Sequence, residues 1–374
     1  PRCLRTNGLL PAGVQAAAPR REAPRSRRKV LWIVLGVSAL ALAAGAGLFL
    51  HKRATDLPLP GQLGMLDAET LQLTLTARGL PAGTEAHHPL LGGEAVAALA
   101  DEAPEAKDAA GRAAAIATTL AGRASRARVL FNGPPTWNAR APEALLKALA
   151  GKEPVQLTSL ELASLLVAML RAADLPAVLA ERFHTSAPGD APDPSGFLGR
   201  YVVLVYPPGK LGSEPVARLD PLLGLEMLPG WATEEPASGN MGVSSEEIVP
   251  LGDASAAAHL MSQRALAAAI KEPERAYRLT RAALAAAAPS ATLLLARAQV
   301  LAAAGGIKDA MGAARKAVGL RDDAPRQAGL ARLLLMNREP EAALDVLRKA
   351  VKAAPGFWPA RQLLASLLGR MDPE

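Results

Sequence analysis

Ala276-Tyr277-Arg278-Leu279-Thr280-Arg281-Ala282-Ala283-Leu284 decides the fold of the C-terminal third. It returns as Ala310-Met311-Gly312-Ala313-Ala314-Arg315-Lys316-Ala317-Val318, and again as Ala343-Leu344-Asp345-Val346-Leu347-Arg348-Lys349-Ala350-Val351. Arg281, Arg315 and Arg348 step by 34 and then 33 residues. Glu272-Pro273-Glu274 recurs as Glu339-Pro340-Glu341. In each copy two alanines lie two helical turns apart, on one face: Ala276 and Ala283, Ala310 and Ala317, Ala343 and Ala350. Small residues there let a second helix approach closely. Such a period predicts stacked helix–turn–helix units, none able to bury its apolar face alone. Three units are expected from Ser255 to about Pro355, with Phe357 to Leu368 as a capping helix. Pro289, Pro325 and Pro355 read as stops after the second helices.

The period resembles that of tetratricopeptide (TPR) repeats, although the usual large aromatic positions are mostly Leu or Ala. The resemblance implies an all-α solenoid over residues 255–374 that binds extended peptides in a concave groove. Candidate groove residues on the first helices are Arg264, Arg297 and Arg332. As a binding set they favour acidic peptides; as ordinary surface they are solvated cations. The acidic middle of the same chain is a candidate partner.

Upstream lies Leu157-Thr158-Ser159-Leu160-Glu161-Leu162-Ala163-Ser164-Leu165-Leu166-Val167-Ala168-Met169-Leu170-Arg171-Ala172-Ala173-Asp174-Leu175-Pro176-Ala177. Thr158 followed three residues later by Glu161 has the form of a capping box before an apolar helix. The stretch also resembles the nucleophile helix of the transglutaminase-like (papain-fold) superfamily, with Ser159 at the Cys position. Further on, Gly199-Arg200-Tyr201-Val202-Val203-Leu204-Val205-Tyr206 resembles the strand that the family's catalytic His opens, and Arg200 stands at that His. Asp220-Pro221 matches the catalytic Asp. The resemblance covers residues 93–230 and implies an α+β domain.

The replaced positions matter chemically. A Cys nucleophile works as a thiolate stabilised by a helix N-terminus and an imidazolium. A serine needs a general base beside it, and Arg200 cannot lose its proton near neutral pH. Ser159, Arg200 and Asp220 therefore make no triad. An Arg200–Asp220 ion pair is the structural expectation. His184 is the candidate for a base imported from elsewhere.

The chain of 374 residues is long enough for two or three domains. Its net charge of +7 is unevenly spread. Residues 1–53 carry +9, residues 54–254 carry −10 and residues 255–374 carry +8. The basic balance is thus no argument for nucleic acid, and aromatic residues are not interleaved with the basic ones. One cysteine, Cys3, excludes an intrachain disulfide and a cysteine metal cluster within the chain. Pro1-Arg2-Cys3 also fits the end of a zinc knuckle lying upstream. His51, His87, His88, His184 and His259 have no metal-ligand spacing, and no cofactor is expected.

Val30 to Leu50 is 21 residues without a charge, long enough to span a bilayer as a helix. Six Lys or Arg between Arg20 and Lys29 precede it, which puts the N-terminus in the cytoplasm. A cleaved twin-arginine signal is the alternative, with Ala44-Gly45-Ala46 as its cleavage site; the length of the run favours the anchor. The expected order is a disordered basic tail (1–29), a transmembrane helix (30–50), a linker (51–92) and the transglutaminase-like domain (93–230). A second linker (231–254) and the repeats (255–374) follow. The expectation is a non-catalytic scaffold in a bacterial envelope, single-pass in the inner membrane with its bulk periplasmic, that binds protein partners. Alternatives are a serine-dependent peptidase or transamidase and a single-pass sensor.

Overall fold

The computed structural model describes residues 62–79, 90–129, 140–151, 155–183, 200–221, 248–355 and 357–371. All belong to one compact unit, Leu57–Glu374. The expected tail and membrane helix, and Cys3, His51, His87, His88 and His184, lie outside the described residues. Among the described residues no helix is long and apolar enough to cross a membrane.

Helix α1 (Ala68–Ala77) starts at Asp67, whose carboxylate accepts from the Thr70 amide at 2.7 Å. It lies within the expected first linker, yet its Leu71 and Leu75 are buried in the core of the C-terminal helices. Helices α2 (Glu94–Asp101), α3 (Ala109–Arg123) and α4 (Pro142–Leu149) follow, with a parallel pair of short strands, β1 (Arg128–Val129) and β2 (Gln156–Leu157). They surround α5 (Ser159–Ala172). That helix is buried from Ser159 to Leu170, which is why its sequence is apolar all round rather than on one stripe.

The other side of α5 meets a four-stranded antiparallel sheet. Its strands are β3 (Ala177–Arg182), β4 (Arg200–Val205), β5 (Ala217–Leu219) and β6 (Ile248–Leu251), in the order β5-β4-β3-β6. Alternate residues point to opposite faces. Ala177, Leu179, Tyr201, Val203 and Val205 join the α5 core, while Val178, Ala180, Val202, Leu204 and Tyr206 form a separate cluster. Strand β6 falls in the expected second linker. That segment carries an edge strand of the sheet.

Gly252 alone separates β6 from α6 (Asp253–Ala268). A Cβ there would come 2.1 Å from the Gln62 carbonyl oxygen, so the crossing of the two backbones requires glycine. Then come α7 (Pro273–Ala286), α8 (Ala291–Ala303), α9 (Ile307–Leu320), α10 (Ala324–Met336), α11 (Pro340–Ala353) and α12 (Trp358–Met371). They form the three helix pairs and closing helix that the period predicts. Successive first helices, α6, α8 and α10, pack side by side, and α12 closes on α10. The six repeated alanines are all buried. Pro289 and Pro355 do follow second helices. Pro325 does not: it sits in the first turn of α10, where its missing N–H costs nothing, behind the capping carboxylate of Asp323.

Candidate functional site

The start of α5 is built from the capping box. The Thr158 hydroxyl accepts from the Glu161 amide at 3.2 Å, and Glu161 Oε2 accepts from the Thr158 amide at 2.9 Å. Arg140 Nε donates to Glu161 Oε1 at 2.8 Å, which neutralises a carboxylate that is itself buried. The Thr158 hydroxyl also donates to Gln263 Oε1 of α6 at 3.1 Å. Ser159, next in line, is 6% exposed.

Two contacts of α6 fix what lies beneath it. Gln263 touches Thr158, and His259, one helical turn earlier, meets the Tyr201 hydroxyl with Nδ1 at 2.6 Å. The beginnings of α5 and β4 are therefore drawn to one stretch of α6. The strand register puts Arg200 opposite Arg182, and Asp220 follows directly on β5 at this same end of the sheet. The geometry thus gathers the backbone positions of Ser159, Arg200 and Asp220 toward one end of the domain. Arg182 Nη1 lies 3.9 Å from Asp220 Oδ2. The Arg200 side chain lies outside the described residues.

Among the described residues His259 makes no hydrogen bond to Ser159. Burial, helped by the Arg326 charge, pushes its pKa down to about 3, so the ring is neutral. Burial and Glu181 raise the Tyr201 pKa well above the ordinary value, so the phenol keeps its proton and donates to Nδ1. The ring hydrogen then sits on Nε2, which has no hydrogen-bond partner among the described residues.

A second polar cluster joins the sheet to the array. Glu181, at the end of β3, is 2% exposed, and Arg326 of α10 is 1% exposed. Thr292, the second residue of α8, donates its hydroxyl to Glu181 Oε1 and accepts from Arg326 Nη2. Arg326 Nη2 stands 3.7 Å from Glu181 Oε1, while Nη1 donates to Asp323 Oδ2 at 3.0 Å. Phe183 lies beneath two guanidinium groups, with Arg321 Cζ 3.7 Å and Arg326 Cζ 5.3 Å from its ring centre. Burial raises the Glu181 pKa to about 7, against the opposing pull of Arg326, the Thr292 hydroxyl and Arg321. Sequence reasoning missed this cluster. Glu181-Arg182-Phe183 reads as the polar end of a strand, and nothing in Asp323-Ala324-Pro325-Arg326 marks the arginine as buried.

The predicted groove arginines differ in their surroundings. Relative to the repeated alanine in the first turn of each second helix (Ala276, Ala310, Ala343), Arg264 lies 12 residues back, Arg297 13 and Arg332 11. At about 100° per residue those offsets point them in different directions. Arg264 is half-buried, its pKa lowered by burial and by the nearby Arg275 charge. Arg297 is stacked over the Tyr277 ring of α7 at 5.3 Å, and Arg332 is exposed. Arg281, Arg315 and Arg348 keep one register on consecutive second helices. All three are exposed and have no partner among the described residues. Among the described residues there is no cluster of His, Cys, Asp and Glu that could hold a metal ion.

No family model and no curated protein matches the chain. Among solved structures it is similar to a thermophilic TPR protein of Thermus thermophilus, at 25% identity and a TM-score of 0.28. The match covers 31% of this chain and 63% of that protein, so the chain spans less than two thirds of its length. Residues 253–371 form an array of stacked helix pairs.

Proposed function

We propose that the chain is a non-catalytic, membrane-anchored scaffold that holds protein partners on its helical array. The observation that carries this reading is the seal over the start of α5. A nucleophile at Ser159 would need a base and an open approach. Thr158 and Ser159 are instead buried, with Gln263 of the array hydrogen-bonded to the cap. The neutral His259 is committed to Tyr201. The order of α5, β3, β4 and β5 supports a transglutaminase-like ancestry for this domain, which here serves as the mount of the array. The apolar run of residues 30–50 supports an anchor, and the envelope is the compartment that the basic residues before it imply.

Acidic segments are the partners this reading favours. Arg281, Arg315 and Arg348 present guanidinium groups in one row, suited to carboxylates. The test is crosslinking of the full-length protein in membranes, followed by recovery of bound proteins. Ser159→Ala leaves the recovered set unchanged, while the triple variant R281Q/R315Q/R348Q depletes it. Hydrolysis of peptide or amide bonds that Ser159→Ala abolishes would sink the proposal in favour of a serine enzyme.

A further inference from the structure

Glu181 is an unusual residue to find at a domain joint. Its carboxylate is buried, and one hydrogen bond, from Thr292, reaches it among the described contacts. The nearest cation, Arg326, stands at 3.7 Å and spends its hydrogen bonds on Thr292 and Asp323. A buried carboxylate satisfied this thinly is better accommodated with its proton on. We propose that Glu181 is a proton-dependent lock that seats the sheet on the first-helix layer of the array, closing when it is protonated and loosening when it ionises.

The surroundings determine the direction. Facing Glu181 are Tyr201 from β4, Thr292 from α8, Asp323 and Arg326 at the start of α10, and Arg321 just before it, with His259 from α6 hydrogen-bonded to Tyr201. Tyr201 and His259 stay neutral through the pH range concerned. Arg326 and Arg321 favour the ionised form and Asp323 opposes it; burial outweighs them, leaving a pKa of about 7. In an opened joint the carboxyl returns to its ordinary value of about 4.3. The closed form therefore binds more protons between those two values. Its extra stability is complete below about pH 4.3 and lost as pH rises through 7. Raising the pH from 6 to 8 increases the opening constant about ten-fold. The lock lies on the N-terminal turns of α8 and α10, so what it exposes on opening is part of the array's first-helix layer.

The experiment is amide exchange on the full chain at pH 6 and pH 8, corrected for the intrinsic pH dependence. The comparison is residues 291–303 and 324–336 against residues 159–172. In the unaltered protein the first two segments gain about ten-fold in opening and the third does not. Glu181→Gln keeps the shape, removes the titration and abolishes the gain. Thr292→Val removes the donor that favours the ionised form and moves the transition to higher pH. If the gain persists in Glu181→Gln, or if no gain occurs in the unaltered protein, the lock is wrong. Should Glu181→Gln fail to fold, an unmoved transition in Thr292→Val overturns it equally.

Discussion

Asp253 is fully buried and binds Arg171 through both oxygens, at 2.9 and 2.7 Å. It also accepts the Leu66 amide at 2.8 Å, while Arg171 Nε donates to the Ala177 carbonyl at 2.8 Å. One ion pair thus ties the end of α5, the first turn of α6, β3 and the segment before α1 together. Removing one partner leaves the other charge buried. Asp253→Ala should cost about 3–5 kcal/mol in urea unfolding, among the largest losses for a single substitution here. His259 contributes to acid sensitivity. Its pKa is about 3 in the fold and about 6.5 when exposed, so the unfolded chain takes up the proton first. Stability from this group is complete above about pH 6.5 and lost as pH falls toward 3. His259→Gln should flatten that loss, read as the thermal midpoint between pH 6.5 and 4.

At the scale of elements, the legible features were those with a local physical cause. The helix pairs follow from a repeated spacing of small residues, and the α5 cap from Thr158 and Glu161, because each depends on neighbours within a turn or a repeat. Strand β6 was not legible: Ile248-Val249-Pro250-Leu251 is short and contains a proline, and only pairing with β3 makes it a strand. Helix α1 escaped for the same reason, since its value lies in covering helices nearly two hundred residues away in the chain. The directions of Arg264, Arg297 and Arg332 were less legible: a near-34 spacing suggests one face, whereas a shift of one or two residues rotates a side chain around its helix. Packing between first helices gives a direct test. A Cβ on Gly329 of α10 would meet Leu295 Cδ1 of α8 at 2.6 Å. Gly329→Ala should therefore destabilise the array by about 1–3 kcal/mol despite the better helix propensity of alanine, measured by denaturant unfolding.

For the whole molecule, α6 is the decisive element. Ala256 and Leu260 complete the core around α5, while Ala257, Ala258, Met261 and Ala265 complete the core of the first repeats. A fragment of residues 253–374 keeps every repeat but bares the first set. It should aggregate or lose helix in circular dichroism, where a chain beginning at residue 57 folds. At the other end, among the described residues, α12 packs chiefly on α10 and α11 in the array's own core. The molecule is consequently open to lengthening in one direction only. A duplicated helix pair can be spliced in before α12 without disturbing the sheet, whereas one inserted ahead of α8 would separate Thr292 and Arg326 from Glu181. A chain lengthened just before α12 is expected to keep α6, α8 and α10 in register with the mount.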